Sequence, residues 1–348
     1  MAAAERTLTQ RELNRALLAR QLLLEREQST IPRVLERMGG LQAQYAPSMY
    51  IGLWSRLAAF ERDHLNRALE RKAVVQGTLM RSTIHLVSAR DYWSCAIAIR
   101  HTRREWWLKS HEGGPTAREM ADAAKRLRRR LRDGPLRRAE VDELVGEGAV
   151  GVGGVGMWLD LVRVPPSGTW ERRRADLYAS AEDWLGSPDV TPDGAREHLV
   201  RRYLSGFGPA SRNDIADWAG LTPKEVAAAL GRMRVRRFRD EAGTELVDLP
   251  RAPIPDADTP APARFLPVWD ATLLVHARRT GILPEEHRAK VFSTKTPQSV
   301  QTFLVDGTVA GTWTCEKGRI RPAPFGRLDA STRRHLEEEA EGLAALHA

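Results

Sequence analysis

Short helical segments alternating with short β-branched stretches recur along this chain, and that serial pattern limits its fold more than any other feature. The clearest instance lies past the middle. Pro192 to Phe207, Ser211 to Ala219 and Pro223 to Gly231 read as three helices, after which Met233 to Phe238 and Thr244 to Leu249 pair as a β-wing. Near the start, Thr9 to Glu27 carries apolar residues at Leu13, Ala16, Leu17, Ala19, Leu22 and Leu23, a helical period. Thr9 with Glu12 forms a capping box, and Ile31-Pro32 begins a second helix that Gly39-Gly40 ends. Helices over Tyr50 to Ala59 and Asp63 to Glu70 lead into Val74 to Val87, which reads as two strands.

The pattern continues. A long helix is expected from Ala89 to Ser110, a break at Gly113-Gly114-Pro115, and another helix over Thr116 to Arg132 capped by Thr116 with Glu119. Leu136 to Val141 opens a helix-turn-helix-like stretch, and Val162 to Trp170 reads as a turn-rich wing. Arg251 to Ala263 has the composition of a linker, and Arg264 to Val275 and Gln301 to Cys315 look β-rich. Within Phe303 to Trp313, Asp306-Gly307 between alternating apolar residues signals a hairpin, and Asp329 to Leu346 is a terminal helix. The expected fold is α+β: tandem winged-helix modules, each a helix-turn-helix plus a β-wing, with a β-rich C-terminal part. The expected modules span 1–112, 113–190, 191–250 and 251–348.

Charge narrows the function classes. There are 54 Lys plus Arg against 45 acids, a net +9, yet only seven of the bases are lysine. Arginine presents a planar fork of donors that fits phosphate oxygens, so a nucleic-acid partner is one reading. A GC-rich coding sequence yields the same Arg- and Ala-rich composition. Cys95 and Cys315 lie far apart without CxxC spacing, and the nine histidines lack metal spacing, so neither a disulfide framework nor a metal is expected. No apolar run approaches the roughly 20 residues of a membrane helix, and Met1 to Gln10 is polar. A cytoplasmic, nucleoid-associated protein without membrane contact or obligate protein partner is the expectation. Val150 to Gly156 is glycine-rich but lacks the Lys-Ser/Thr of a phosphate-binding loop and reads as a flexible turn.

One constellation stands apart: Gly39-Gly40-Leu41-Gln42-Ala43-Gln44, then Gly52 to Leu57, then Arg81-Ser82-Thr83-Ile84-His85-Leu86-Val87. With Tyr203 to Ala210, Leu266-Pro267-Val268-Trp269-Asp270, His276-Ala277 through Ile282-Leu283-Pro284, and Phe303 to Trp313, it resembles the winged-helix DNA glycosylases related to AlkZ and YcaQ. Members of that family carry a Gln-apolar-Gln or Gln-apolar-Asp motif. The resemblance spans about residue 10 to 328 and implies tandem winged helices around a DNA-binding cleft, base excision, and no cofactor. Ala271 stands where the family more often has Asn, and with Gln44 instead of Asp the chain resembles the AlkZ branch, which implies bulky or crosslinking adducts.

Glutamines suit one kind of lesion. An N7-alkylated purine already carries positive charge and leaves without a general acid. The enzyme then has to stabilise an oxocarbenium-like sugar and place a water. A glutamine carbonyl can do both through its dipole, but it is no strong base. Gln42 and Gln44 are therefore the candidate catalytic residues, acting on double-stranded DNA with alkylated purines. A helix-capping or loop role is the plain alternative. His85, Asp270, Trp54 and Ser82 are further active-site candidates, although His85 and Trp54 also fit an apolar core. Arg56, Arg81, Arg236, Arg237, Arg278 and Arg279 are the candidate DNA contacts, while Lys125 to Arg132 has bases on several helix faces and must be partly solvated. No lysine sits in a recognisable motif, so a Schiff-base lyase is not expected. An interstrand crosslink cannot be fully flipped, so a minor-groove hairpin, for which the Asp306-Gly307 tip is available, or a distorted, unflipped approach is a further reading. Two rivals share the pattern: a non-catalytic winged-helix transcription regulator, and a protein that sequesters a DNA-alkylating metabolite.

Overall fold

A computed structural model describes residues 4–274, 281–292 and 299–348. Among them, one topological unit occurs three times: helix, short strand, two helices, then a β-hairpin whose second strand pairs with the short one. In the first unit the helix Ile31–Met38 precedes the strand Leu41–Gln42, the helices Ala46–Trp54 and Arg62–Glu70, and the strands Val74–Thr78 and Ile84–Ser88. Leu41 pairs with Leu86, so Ile84–Ser88 is the middle strand. The second unit repeats this with Ala117–Leu131, Leu136–Arg137, Arg138–Val145, Val152–Val155, Leu161–Arg163 and Leu177–Ser180. In the third, Pro192–Phe207, Arg212–Ala219 and Pro223–Gly231 precede the strands Arg236–Asp240 and Glu245–Asp248, and a single bridge from Ala210 to Val247 takes the short strand's place.

The first two units fuse into one sheet. Val74–Thr78 and Leu161–Arg163 pair antiparallel through Gln76 opposite Arg163 and Gly77 opposite Val162, giving six strands in which the units are related back to back. Local signals set the helix starts. Thr9 and Glu12, Thr116 and Glu119, Ser211 and Asp214, and Thr222 and Glu225 all close reciprocal capping boxes, each satisfying amides that a helix end leaves unbonded.

Several elements depart from expectation. The N-terminal helix, Gln10–Arg20, does not complete the first unit. It packs on the third, where Thr7–Leu8 runs parallel to Arg236–Asp240 and buried Arg20 grips Asp248 bidentately at 2.7 and 2.8 Å. The expected long helix is two, Ala89–Ala98 and Arg100–Ser110, broken at Ile99. The glycine-rich Val150 to Gly156 holds a helical turn, Val152–Val155, rather than a flexible one. Residues 251–263 are irregular but tied down. Arg11, Arg15 and Arg20 donate to the carbonyls of Ala257, Thr259 and Pro253, because a packed loop still has to satisfy its backbone.

The C-terminal part is a four-stranded antiparallel sheet, Arg264–Leu266, Thr302–Val305, Thr308–Glu316 and Arg319–Pro324, covered by the helix Ala330–His347. Its Asp306-Gly307 turn forms as the sequence indicates, but the tip is docked on the N-terminal helix. Asp306 forms an ion pair with buried Arg15, and Asn14 Nδ2 donates to the Gly307 carbonyl at 2.8 Å. A Cβ on Gly307 would lie 2.6 Å from Asn14 Oδ1, so only glycine fits there. Gly307 is buried in that contact, while Asp306 stays exposed. Among the described residues no helix is long and apolar enough to cross a membrane.

Candidate active site

Strand alternation decides which side chains of the fused sheet meet. The pairing sets Leu41, Leu86, Gln76, Arg163, Tyr178 and Leu136 in one transverse row across all six strands. The adjacent row, Gln42, His85, Gly77, Val162 and Ala179, points to the opposite face. That second face packs on the Ala89–Ala98 helix, and a Cβ on Gly77 would lie 2.6 Å from the Tyr92 ring.

The motif therefore divides. After Gln42 the strand ends, Ala43 N donates to Ile84 O at 2.7 Å, and Gln44 turns onto the first face. There it is exposed, its Oε1 accepting from Ile84 N at 3.3 Å. It lines a cleft of about 410 Å³ whose floor is the sheet and whose rim carries Arg138, Arg173 and Arg174. Ser82 lines the same cleft. Gln42 is half-buried on the other face and accepts from Arg81 Nη2 at 3.2 Å, while Arg81 Nη1 donates to Trp218 O at 2.7 Å. Arg81 thus ties the motif to the third unit. Burial pulls its pKa down to about 10, so it remains a cation at neutral pH. Arg81 and Ser82 both adopt left-handed backbone, φ 53° and 56°, in the turn between Val74–Thr78 and Ile84–Ser88. Two consecutive non-glycine residues in that region store strain of the kind that clusters at functional sites.

His85 backs the motif as a neutral group. Burial first, and Arg81 second, depress its pKa to about 3, and its Nδ1 lies 3.1 Å from the Thr83 carbonyl oxygen. Unfolded, it takes a proton near its ordinary 6.5. Folded, it does so only near about 3. Between those values the unfolded chain holds more protons, so this residue's contribution to stability is full above 6.5 and lost as pH falls. His85→Gln should therefore unfold with a flatter stability loss between pH 6.5 and 4 than wild type, measured by urea titration at each pH. An equal loss in both proteins would contradict the assignment.

Other candidates fall elsewhere. Arg56 and Asp270 form a fully enclosed ion pair at 3.0 Å; Arg56 Nε and Nη1 donate to Gln21 O and Gly52 O, and Thr272 donates twice to Asp270 Oδ1. Arg56 has no exposed surface with which to meet a phosphate. Trp54 sits at the far end of the Ala46–Trp54 helix, about 13 Å from its start. Arg26 lies 4.3 Å over its ring, so that face is covered. Trp54 is a packing residue here. Arg236 pairs with Glu5 at 2.9 Å and Arg237 with Glu245, both at the surface, where a phosphate can displace the acid at little cost. Arg278 and Arg279 lie outside the described residues. Sequence reasoning passed over Gln76, Arg163 and Tyr178, which form the cleft floor beside Gln44. Only the strand pairing, set by residues distant in sequence, brings them together.

The family described as DNA glycosylase AlkZ-like matches residues 35–346. A Streptomyces sahachiroi protein named interstrand DNA cross-link repair glycosylase is 23% identical over 356 positions, covering 93% of each chain. The solved structure of Streptomyces sahachiroi DNA glycosylase AlkZ superposes with a TM-score of 0.82 at 20% identity, covering 98% of both chains, a likeness of fold.

Proposed function

The chain belongs to the DNA glycosylase AlkZ-like family, and from that premise we propose that it hydrolyses the N-glycosidic bond of cationic N7-alkylguanine and N3-alkyladenine in duplex DNA, bulky adducts and interstrand crosslinks included. The three repeated units are, on this reading, winged helices. The cleft between the first two receives the lesion. The observation that carries the proposal is Gln44 on the rim of an arginine-lined cleft, with Gln42 held by Arg81 two residues before it.

The step balances without a general acid. A water oxygen bonds to C1′, the C1′–N9 bond breaks, and its electron pair enters the base and cancels the positive charge there. The water's proton passes to solvent. The Gln44 carbonyl orients the water and faces the developing sugar cation, while Gln42, its carbonyl fixed by Arg81, holds the strand that presents Gln44. On this reading the enzyme is monofunctional and leaves an intact abasic site. Repair of alkylated DNA, including damage from a genotoxic natural product made by the same cell, is the role that follows.

The test is to incubate the protein with duplexes bearing one N7-methylguanine or one N7-linked interstrand crosslink and to identify the released base by mass spectrometry. Release from both, with strand breaks appearing only after alkali, is expected. Tight binding of one unmodified sequence without release would instead identify a regulator, and binding of the free alkylating compound without DNA a sequestering protein.

A further inference from the structure

Where the two halves of the six-stranded sheet meet, one cross-strand pair leaves hydrogen-bonding capacity unmatched. Gln76 and Arg163 are directly opposite each other, a placement that sets their Cβ atoms about 5 Å apart on one face. Gln76 is 1% exposed; its Nε2 donates to Gly168 O at 2.9 Å, and its Oε1 has no partner among the described residues. Arg163 is 8% exposed; its Nη2 donates to Thr78 Oγ1 at 3.2 Å, and its Nε has no partner among the described residues. Among the described residues no carboxylate pairs with its charge, and burial holds its pKa below the usual guanidinium range. Its guanidinium lies 5.4 Å from the ring centre of Tyr178, the next member of the row. Both side chains line the cleft that Gln44 borders.

Buried donors and acceptors are normally matched, so an unmatched pair in the wall of a cleft, its unmatched atoms closed to solvent until the side chains turn, indicates what the cleft is shaped to hold. A phosphate would satisfy Arg163 but set its oxygens against the Gln76 carbonyl. A simple cation would satisfy Gln76 and be repelled by Arg163. A flat edge with an acceptor beside a donor satisfies both, and the O6 and N1–H of guanine form such an edge. A volume of about 410 Å³ accommodates a purine with a substituent.

We propose that this cleft receives the guanine of the lesion, with Arg163 donating to O6 and Gln76 accepting from N1–H or the N2 amino group. The proposal deepens the glycosylase reading and rests on it. As the C1′–N9 electron pair enters the base, O6 becomes a better acceptor, so the Arg163 hydrogen bond strengthens while the bond breaks. Adenine carries its N6 amino donor where guanine carries O6, so an N3-alkyladenine in the same pose gains nothing from Arg163.

Two variants test this. Arg163→Met removes the donor. Gly153→Leu fills the cleft from the opposite wall, at an exposed helical position where a Cβ meets nothing within 4 Å. Binding of free N7-methylguanine and free N3-methyladenine is measured by calorimetry beside base release from DNA. Arg163→Met should weaken N7-methylguanine binding by about tenfold or more and leave N3-methyladenine unchanged. Gly153→Leu should weaken both while unfolding at the wild-type denaturant concentration. The proposal is overturned if wild type does not bind the free base, if Arg163→Met binds it as wild type does, or if both bases are lost alike in Arg163→Met. Arg163-dependent binding by a wild type that releases no base from any duplex would leave the pocket standing and remove the glycosylase reading.

Discussion

Replacing Arg56 with methionine should lower the unfolding free energy by about 3–5 kcal/mol, the usual cost of stranding one partner of a buried ion pair. Asp270 would keep the two hydrogen bonds from Thr272 but lose its one cation partner among the described residues, in a site where neither side chain reaches solvent. Its Oδ2 already lacks a partner among the described residues. Urea titration gives the value directly. The double variant Arg56→Met with Asp270→Leu should recover most of the loss, because the uncompensated charge is then gone. Where both proteins are folded, base release and the salt dependence of DNA binding should match wild type. Were Arg56 a phosphate contact, the slope of log affinity against log salt would fall by about 0.9 instead.

The second large effect is chemical. Gln44→Ala should slow single-turnover base release by about a hundredfold or more, the loss that follows removal of one positioned dipole from a transition state, on the order of 3 kcal/mol. DNA affinity should change little, because Gln44 is uncharged and its partner, Ile84 N, can be solvated at the cleft rim. Gln42→Ala should also slow release, by a different route. It leaves Arg81 with its bond to Trp218 O but frees it from the motif strand, in a turn already strained at Arg81 and Ser82. Titration of His85 should contribute no inflection near pH 6.5 to either profile, since that imidazole is neutral throughout the working range.

What the sequence displays is local, and it displays that well. The helix over Pro192–Phe207 has its expected bounds because Thr191 caps it, Pro192 starts it and Gly208-Pro209 follows. The Asp306-Gly307 hairpin forms because the turn chemistry is local, yet its burial against Asn14 and Arg15 depends on a helix from the other end of the chain. Arg56 reads as a surface arginine until Asp270 is brought to it. Gln76 and Arg163 have no signal of their own, since a cross-strand pair between two units exists only once both hairpins have formed. The glutamine motif was legible through family resemblance. That Gln42 and Gln44 would face opposite sides of the sheet edge was not, because it depends on where the strand Leu41–Gln42 ends.

The central claim is that paired glutamines beside an arginine-lined cleft cut only those bases that already carry positive charge. One measurement addresses it most directly: single-turnover release of N7-methylguanine and of uracil from the same position in otherwise identical duplexes. Release of N7-methylguanine with no detectable release of uracil is the expected result. Release of uracil at a comparable rate would mean that some other group activates a neutral leaving base, and release of neither would contradict the account at its root.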